Sequence, residues 1–363
     1  MNHILSAPRK FIVGNGELGN LAQYVKPYGS PLVLIAHPDD AKRVSASLEK
    51  IEADGIKLIR FDFKGECTFN EIDSAVKLCQ DNTAKAVIGL GGGKAIDTAK
   101  AAAEKISLPA IIVPTIVSND APCSKLAVVY KEDHAWAETL TLTVNPELVL
   151  IDSGVIANAP ERTLIAGMGD AYATYYEARA CVRSGTLNFN NGGSTRAAMV
   201  LAKECRRILL KEGKKALLAC RNHSVVPALE NIIEANVLLS GIGFESVGLA
   251  VAHGIDGAFT LLPETHSCMH GEKVAIGTLI QLILENAPDK ELITTLRFYK
   301  SVGLPTNLEQ IGITGNSPER LRDLANRIAD YAESPIHHMP FKITGAMLFD
   351  AIMYVNCLDK LLE

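Results

Sequence analysis

Through the first 150 residues, short apolar runs alternate with segments whose apolar positions recur every three or four residues. The runs at 31–36, 57–61, 86–90, 110–113 and 148–152 have the length and the Val, Ile and Leu content of buried strands. Between several of them, 41–53, 70–81 and 94–105 carry helical spacing. Strand-helix-strand units in series predict a mostly parallel sheet covered by helices. From about Pro160 the pattern changes to long Ala- and Leu-rich segments, such as 168–183, 194–211 and 226–241. The expected organisation is an α/β nucleotide-binding domain over 1–159 followed by an all-α domain over 160–363.

The run at 86–90 breaks into Gly91-Gly92-Gly93-Lys94 and then opens a helical segment. Glycines there let backbone N–H groups approach an anion with no Cβ in the way, and the helix N-terminus adds partial positive charge. Lys94 would add a full charge. The turn is either a phosphate cradle or a plain strand-to-helix connection. A second glycine motif, Gly14-Asn-Gly16-Glu-Leu-Gly19, satisfies G-x-G-x-x-G but lacks the acidic residue expected about 20 positions on. The next strand ends in Ala36-His37-Pro38, so Gly14–Gly19 reads as a chain-entry turn.

Composition excludes several classes. The 363 residues are 48% hydrophobic and 21% charged, as for a globular protein with room for two cores. A net charge of −5 offers no basic surface for a nucleic-acid backbone. No stretch approaches the roughly 20 apolar residues of a membrane span. The eight cysteines are scattered without a Cys-x-x-Cys pair, and the first residues lack a secretory apolar segment. A cytoplasmic protein with reduced thiols is expected, with neither nucleic acid nor membrane as partner.

In the helical half, Asp170, His253 and His270 are polar residues in apolar surroundings. One carboxylate and two imidazoles would make a three-ligand divalent site with a position left open, as catalytic zinc needs. Each histidine could instead be a core residue with satisfied hydrogen bonds, and spacing alone does not assemble residues so distant. His266 would pair with His270 at i, i+4 if that segment is helical.

Five stretches together resemble the glycerol dehydrogenase branch of the iron-containing alcohol dehydrogenase superfamily, over about residues 8 to 350. They are Gly91-Gly-Gly-Lys-Ala-Ile-Asp-Thr-Ala-Lys100, Val113-Pro-Thr-Ile-Val-Ser-Asn-Asp-Ala-Pro-Cys-Ser124, Asn145-Pro146, Gly167-Met-Gly-Asp-Ala171 and His266-x-x-x-His270-Gly-Glu-Lys. The resemblance implies the two-domain, dehydroquinate synthase-like architecture with the site in the cleft. It implies NAD contacts from Gly92, Gly93, Lys94 and Asp97 at the turn, and from Thr115, Ser118, Ser124, Leu126 and Tyr130 toward the nicotinamide. Asp120 would meet the substrate, and Asp170, His253 and His270 would bind the metal. The implied reaction is hydride transfer between a small polyol, glycerol or a vicinal diol, and a nicotinamide cofactor, in a homo-oligomer of which an octamer is the candidate size.

Departures from the family's pattern bear on metal, cofactor and substrate. Iron-dependent relatives add a histidine one helical turn after the aspartate; Thr174 stands there, which favours zinc. Similar polyol dehydrogenases usually carry Asp near position 37, where this chain has His37. An imidazole does not repel a 2′-phosphate as a carboxylate does, so NADP is admitted beside NAD. Where relatives commonly read His-x-x-His-Asn-Gly, the chain reads His253-Gly-Ile-Asp256-Gly257, and Ser267 replaces a frequent histidine. Lys125 is either a solvated charge or a contact for an anionic substrate such as a hydroxy acid, oxo acid or phosphorylated polyol. A dehydroquinate-synthase-like lyase would need a basic cluster that the metal motifs lack, and a non-catalytic scaffold is the other competing class.

Overall fold

The computed structural model describes residues 2–133, 135–314 and 318–363. Six strands form one parallel sheet: β1 (Phe11–Gly14), β2 (Leu32–Ala36), β3 (Leu58–Asp62), β4 (Val87–Gly91), β5 (Ala110–Pro114) and β8 (Leu148–Asp152), in the order β1-β8-β5-β4-β2-β3. Every residue of β2, β4 and β8 is buried, which is why these segments read as unbroken apolar runs. The sheet and the helical half behind it are the fold class expected.

Two local features differ from the sequence reading. The segment expected as one helix over 41–53 is two, Pro38–Arg43 and Ser45–Ala53. Val44 leaves helical geometry at φ −115° and packs in one buried cluster with Leu48 and Ile51. A two-stranded antiparallel hairpin of β6 (Leu126–Tyr130) and β7 (Trp136–Thr141) went unpredicted. Leu126–Tyr130 is itself a short apolar run that the sequence reading passed over, whereas Trp136–Thr141 lies mostly exposed and has none.

The helical half begins with Glu161–Ser184 and continues through Arg196–Arg221, Pro227–Val247, Val251–Phe259 and His270–Leu284. Among the described residues, no single helix is long and apolar enough to cross a membrane. The chain start also belongs to this half, because Ile4 N–H donates to Gly193 O (3.1 Å) and Ser6 Oγ to Asn190 Oδ1 (2.8 Å).

Glycines set how closely the site helices cross. A Cβ on Gly271 would lie 1.8 Å from Ala166 O, and one on Gly169 would lie 2.4 Å from Gly271 O. Helices Glu161–Ser184 and His270–Leu284 thus touch backbone to backbone, one residue from Asp170 and one from His270. Gly271→Ala is expected to cost about 1–3 kcal/mol, because rigid backbone must move. Denaturant unfolding measures this, and an unchanged midpoint would mean that the crossing has slack.

Candidate active site

The glycine turn closes β4 and opens the helix Gly93–Lys105. Gly91 has φ +144°, a conformation that favours glycine. Asp40 leans over it, with Oδ2 3.2 Å from where a Gly91 Cβ would be, while Asp40 Oδ1 accepts from Thr115 Oγ1 at 3.0 Å. Cβ atoms on Gly92 and Gly93 would sit 3.1 Å from Ile116 Cδ1 and Asn119 Nδ2. The bare backbone here can take an anion at the N-terminus of a 13-residue helix.

The residues assigned to the cofactor by resemblance divide into two groups. Lys94 extends from the turn, but its Nζ is 2.7 Å from Glu66 Oε2 and lies over the Tyr130 ring. Leu126 and Tyr130 share the half-exposed face of β6, and Ser118 is partly exposed. Thr115 and Ser124 are buried; Ser124 Oγ donates to Ala121 O (3.4 Å). Asp97 is buried, accepts from Val128 N–H at 3.0 Å and pairs with Lys100 at 2.9 Å. Lys100, itself buried, also donates to the carbonyls of Ala121 (2.8 Å), Ser124 (3.2 Å) and Leu126, and so anchors the segment that carries Asp120.

Asp170, His253 and His270 come together, from three different helices. Asp170 Oδ1 is 3.2 Å from His253 Nε2 and 3.3 Å from His270 Nε2, and the three donor atoms lie within 4.8 Å of one another. Asp170 is completely buried, and its Oδ1 makes no hydrogen bond, while Oδ2 accepts from Asp120 N–H at 3.2 Å. An orphaned carboxylate oxygen facing two imidazole nitrogens is a donor set that a divalent cation completes.

Carboxylates hold both rings from behind. His253 Nδ1 is 2.6 Å from Glu177 Oε2, and Glu177 Oε1 accepts from Ala250 and His253 N–H. His270 Nδ1 is 2.9 Å from Asp256 Oδ2. Burial opposes charge on the His253 ring, but Glu177 and then Asp170 outweigh it and hold its pKa well above the ordinary value. The same contest, with Asp256 and Asp170 prevailing over burial, lifts His270 to about 10. Burial also opposes ionisation of Asp170, and the two imidazoles overcome it, holding the carboxyl below its usual range. Such a field favours a cation between the rings.

Asp120 is buried beside this cluster, and burial together with the Asp170 charge raises its pKa to about 8. Ser240 Oγ donates to Asp120 Oδ2 at 2.5 Å, and Thr174 Oγ1 lies 2.8 Å from Ser240 Oγ. Ser240 follows directly on a π-helical stretch, Ala235–Leu239, inside a longer helix. Thr174 therefore serves the Asp120 side of the site rather than the metal side.

The remaining motif residues stand apart. The helix begins at His270, so His266 is not one turn behind it; His266 is exposed, with Nε2 3.1 Å from Thr260 O. Gly257 and Ser267 are exposed. Lys125 N–H donates to buried Glu245, which also accepts from Asn145 Nδ2 at 2.7 Å. Glu177 was overlooked in the sequence although it lies seven residues after Asp170, two turns along the same helix face.

A profile of the iron-containing alcohol dehydrogenases matches residues 8–153. A glycerol dehydrogenase of Escherichia coli O6:H1 is 42% identical over 98% of this chain and 97% of its own. The chain belongs to the iron-containing alcohol dehydrogenase family. It is a glycerol dehydrogenase-like oxidoreductase of that family. A glycolaldehyde reductase of Halobacterium salinarum is 38% identical over 97% of each chain. The crystal structure of a probable glycerol dehydrogenase from Sinorhizobium meliloti superposes with a TM-score of 0.91, at 40% identity over 99% of both chains.

Proposed function

We propose that this chain is a zinc-dependent, NAD-linked dehydrogenase of small polyols, glycerol or another vicinal diol. The observation that carries the reading is the convergence of Asp170 Oδ1, His253 Nε2 and His270 Nε2 with no competing hydrogen bond on the carboxylate oxygen. Three protein donors and an open side suit catalytic zinc, and Thr174, where a fourth donor would stand, is engaged with Ser240. When bound, the metal polarises a substrate hydroxyl and the nicotinamide accepts the hydride.

The chain's own residues bind and orient. Asp170, His253 and His270 hold the metal. Asp120, fixed by Ser240, faces the substrate hydroxyls as a hydrogen-bonding partner. The amides at Gly92 and Gly93 take the cofactor diphosphate, and Leu126 and Tyr130 line the path toward the nicotinamide. His37, an imidazole in place of a carboxylate, relaxes the preference for NAD over NADP. The free thiols of all eight cysteines suit a reducing cytosol, where the enzyme would work as a homo-oligomer.

Assays of polyols, hydroxy acids and oxo compounds with both cofactors test this reading. Glycerol or a 1,2-diol should give NADH, with lower kcat/KM for NADP; chelation should abolish turnover, and Zn²⁺ should restore it. Turnover that survives chelation would overturn the metal role. Rescue by Fe²⁺ but not Zn²⁺ would overturn the choice of metal, and activity confined to hydroxy acids would overturn the substrate class.

A further inference from the structure

We propose that Asp256, braced by Lys273, is a positioning residue that sets His270 for the metal. The proposal rests on the metal reading above. The Asp256 carboxylate turns to the back of the His270 ring, 2.9 Å from Nδ1. That contact assigns the Nδ1 proton to the carboxylate side and leaves the Nε2 lone pair pointing at the shared site with Asp170.

Three helices are linked in series by this arrangement. The helix Glu161–Ser184 carries the ligand Asp170 and, two turns on, Glu177, which holds His253. The helix Val251–Phe259 carries the ligand His253 and, three residues on, Asp256, which holds His270. The helix His270–Leu284 carries the ligand His270 and, three residues on, Lys273, whose Nζ is 3.3 Å from Asp256 Oδ1. Each helix thus supplies one ligand and one support for its neighbour.

The contacts of Asp256 also say why it is not a fourth ligand. Oδ2 is occupied by the imidazole and Oδ1 faces the ammonium, and both residues of the ion pair are 7% exposed. A neutral side chain at position 256 would leave Lys273 buried without its partner and the His270 ring free to turn.

Competition of metal-stripped protein against a chromophoric zinc chelator tests the proposal with Asp256→Asn, Asp256→Ala and Asp170→Asn beside the unaltered chain. Zinc affinity should fall about 10-fold in Asp256→Asn and about 100-fold in Asp256→Ala. A merely structural role would leave Asp256→Asn, which keeps the side-chain shape, with the zinc affinity of the parent. Unchanged zinc affinity in both Asp256 variants, with Asp170→Asn losing the metal, would overturn the proposal and leave the metal site standing. No zinc binding by the unaltered chain would overturn the metal reading itself. Should the Asp256 variants not fold, a crystal structure of the zinc-loaded parent decides: Nε2 of His270 on zinc with Nδ1 still on Asp256 supports the proposal, whereas Nδ1 or an Asp256 oxygen on zinc overturns it.

Discussion

Asp170→Asn should leave the purified protein without bound metal and lower kcat/KM for polyol oxidation by about 10³-fold, equivalent to roughly 4 kcal/mol of transition-state stabilisation. The substitution keeps the side-chain volume and an acceptor for the Asp120 N–H, which Asp170 Oδ2 now takes at 3.2 Å. What it removes is the charge at Oδ1, the atom both imidazoles face. With that charge gone, two neutral nitrogens and an amide oxygen hold a dication poorly. Elemental analysis and steady-state kinetics measure the two effects, and circular dichroism separates them from misfolding. Parent-like metal content with activity within tenfold of the parent would place the metal elsewhere.

Lys100→Met should cost about 3–5 kcal/mol of stability, because it leaves the buried Asp97 carboxylate without its counter-charge. The lysine side chain is 1% exposed and the aspartate 8%. Three carbonyls, of Ala121, Ser124 and Leu126, lose their donor at the same time. An exposed pair such as Arg207 and Glu204 contributes only about 0–1 kcal/mol by comparison. Chemical denaturation of Lys100→Met, Asp97→Asn and the double variant forms a cycle in which the double variant should be more stable than Lys100→Met alone. The anchored carbonyls belong to the segment between Asp120 and Tyr130, so KM for the cofactor should rise in Lys100→Met. A loss below about 1 kcal/mol would mean that the pair behaves as a surface pair.

The legible part of this protein lay in local patterns. Burial on both faces turns β2, β4 and β8 into unbroken apolar runs, and positive φ at Gly91 demands glycine at the end of β4. The hairpin β6–β7 was legible only in part: Leu126–Tyr130 is an apolar run, but its mostly exposed partner Trp136–Thr141 leaves no hydrophobic pattern. The split at Val44 was missed for a related reason: a buried valine fits the period of a helix and the needs of a core equally well. The burial of Asp97 against Lys100, three residues of helix beyond Lys94, is a contact the glycine motif alone does not reveal.

By itself the sequence determined the α/β and helical halves, the glycine turn and the identity of three residues suited to a metal. Periodicity and backbone sterics act between near neighbours, so they leave marks that can be read along the chain. Only the tertiary structure decided that Asp170, His253 and His270 meet, that Glu177 and Asp256 hold the two rings, and that Thr174 joins Ser240 and Asp120 instead. Those contacts join residues 14 to 120 positions apart. They depend on glycines at 169 and 271 letting two helix backbones touch, and close packing of that kind is set by the whole fold rather than by any one segment.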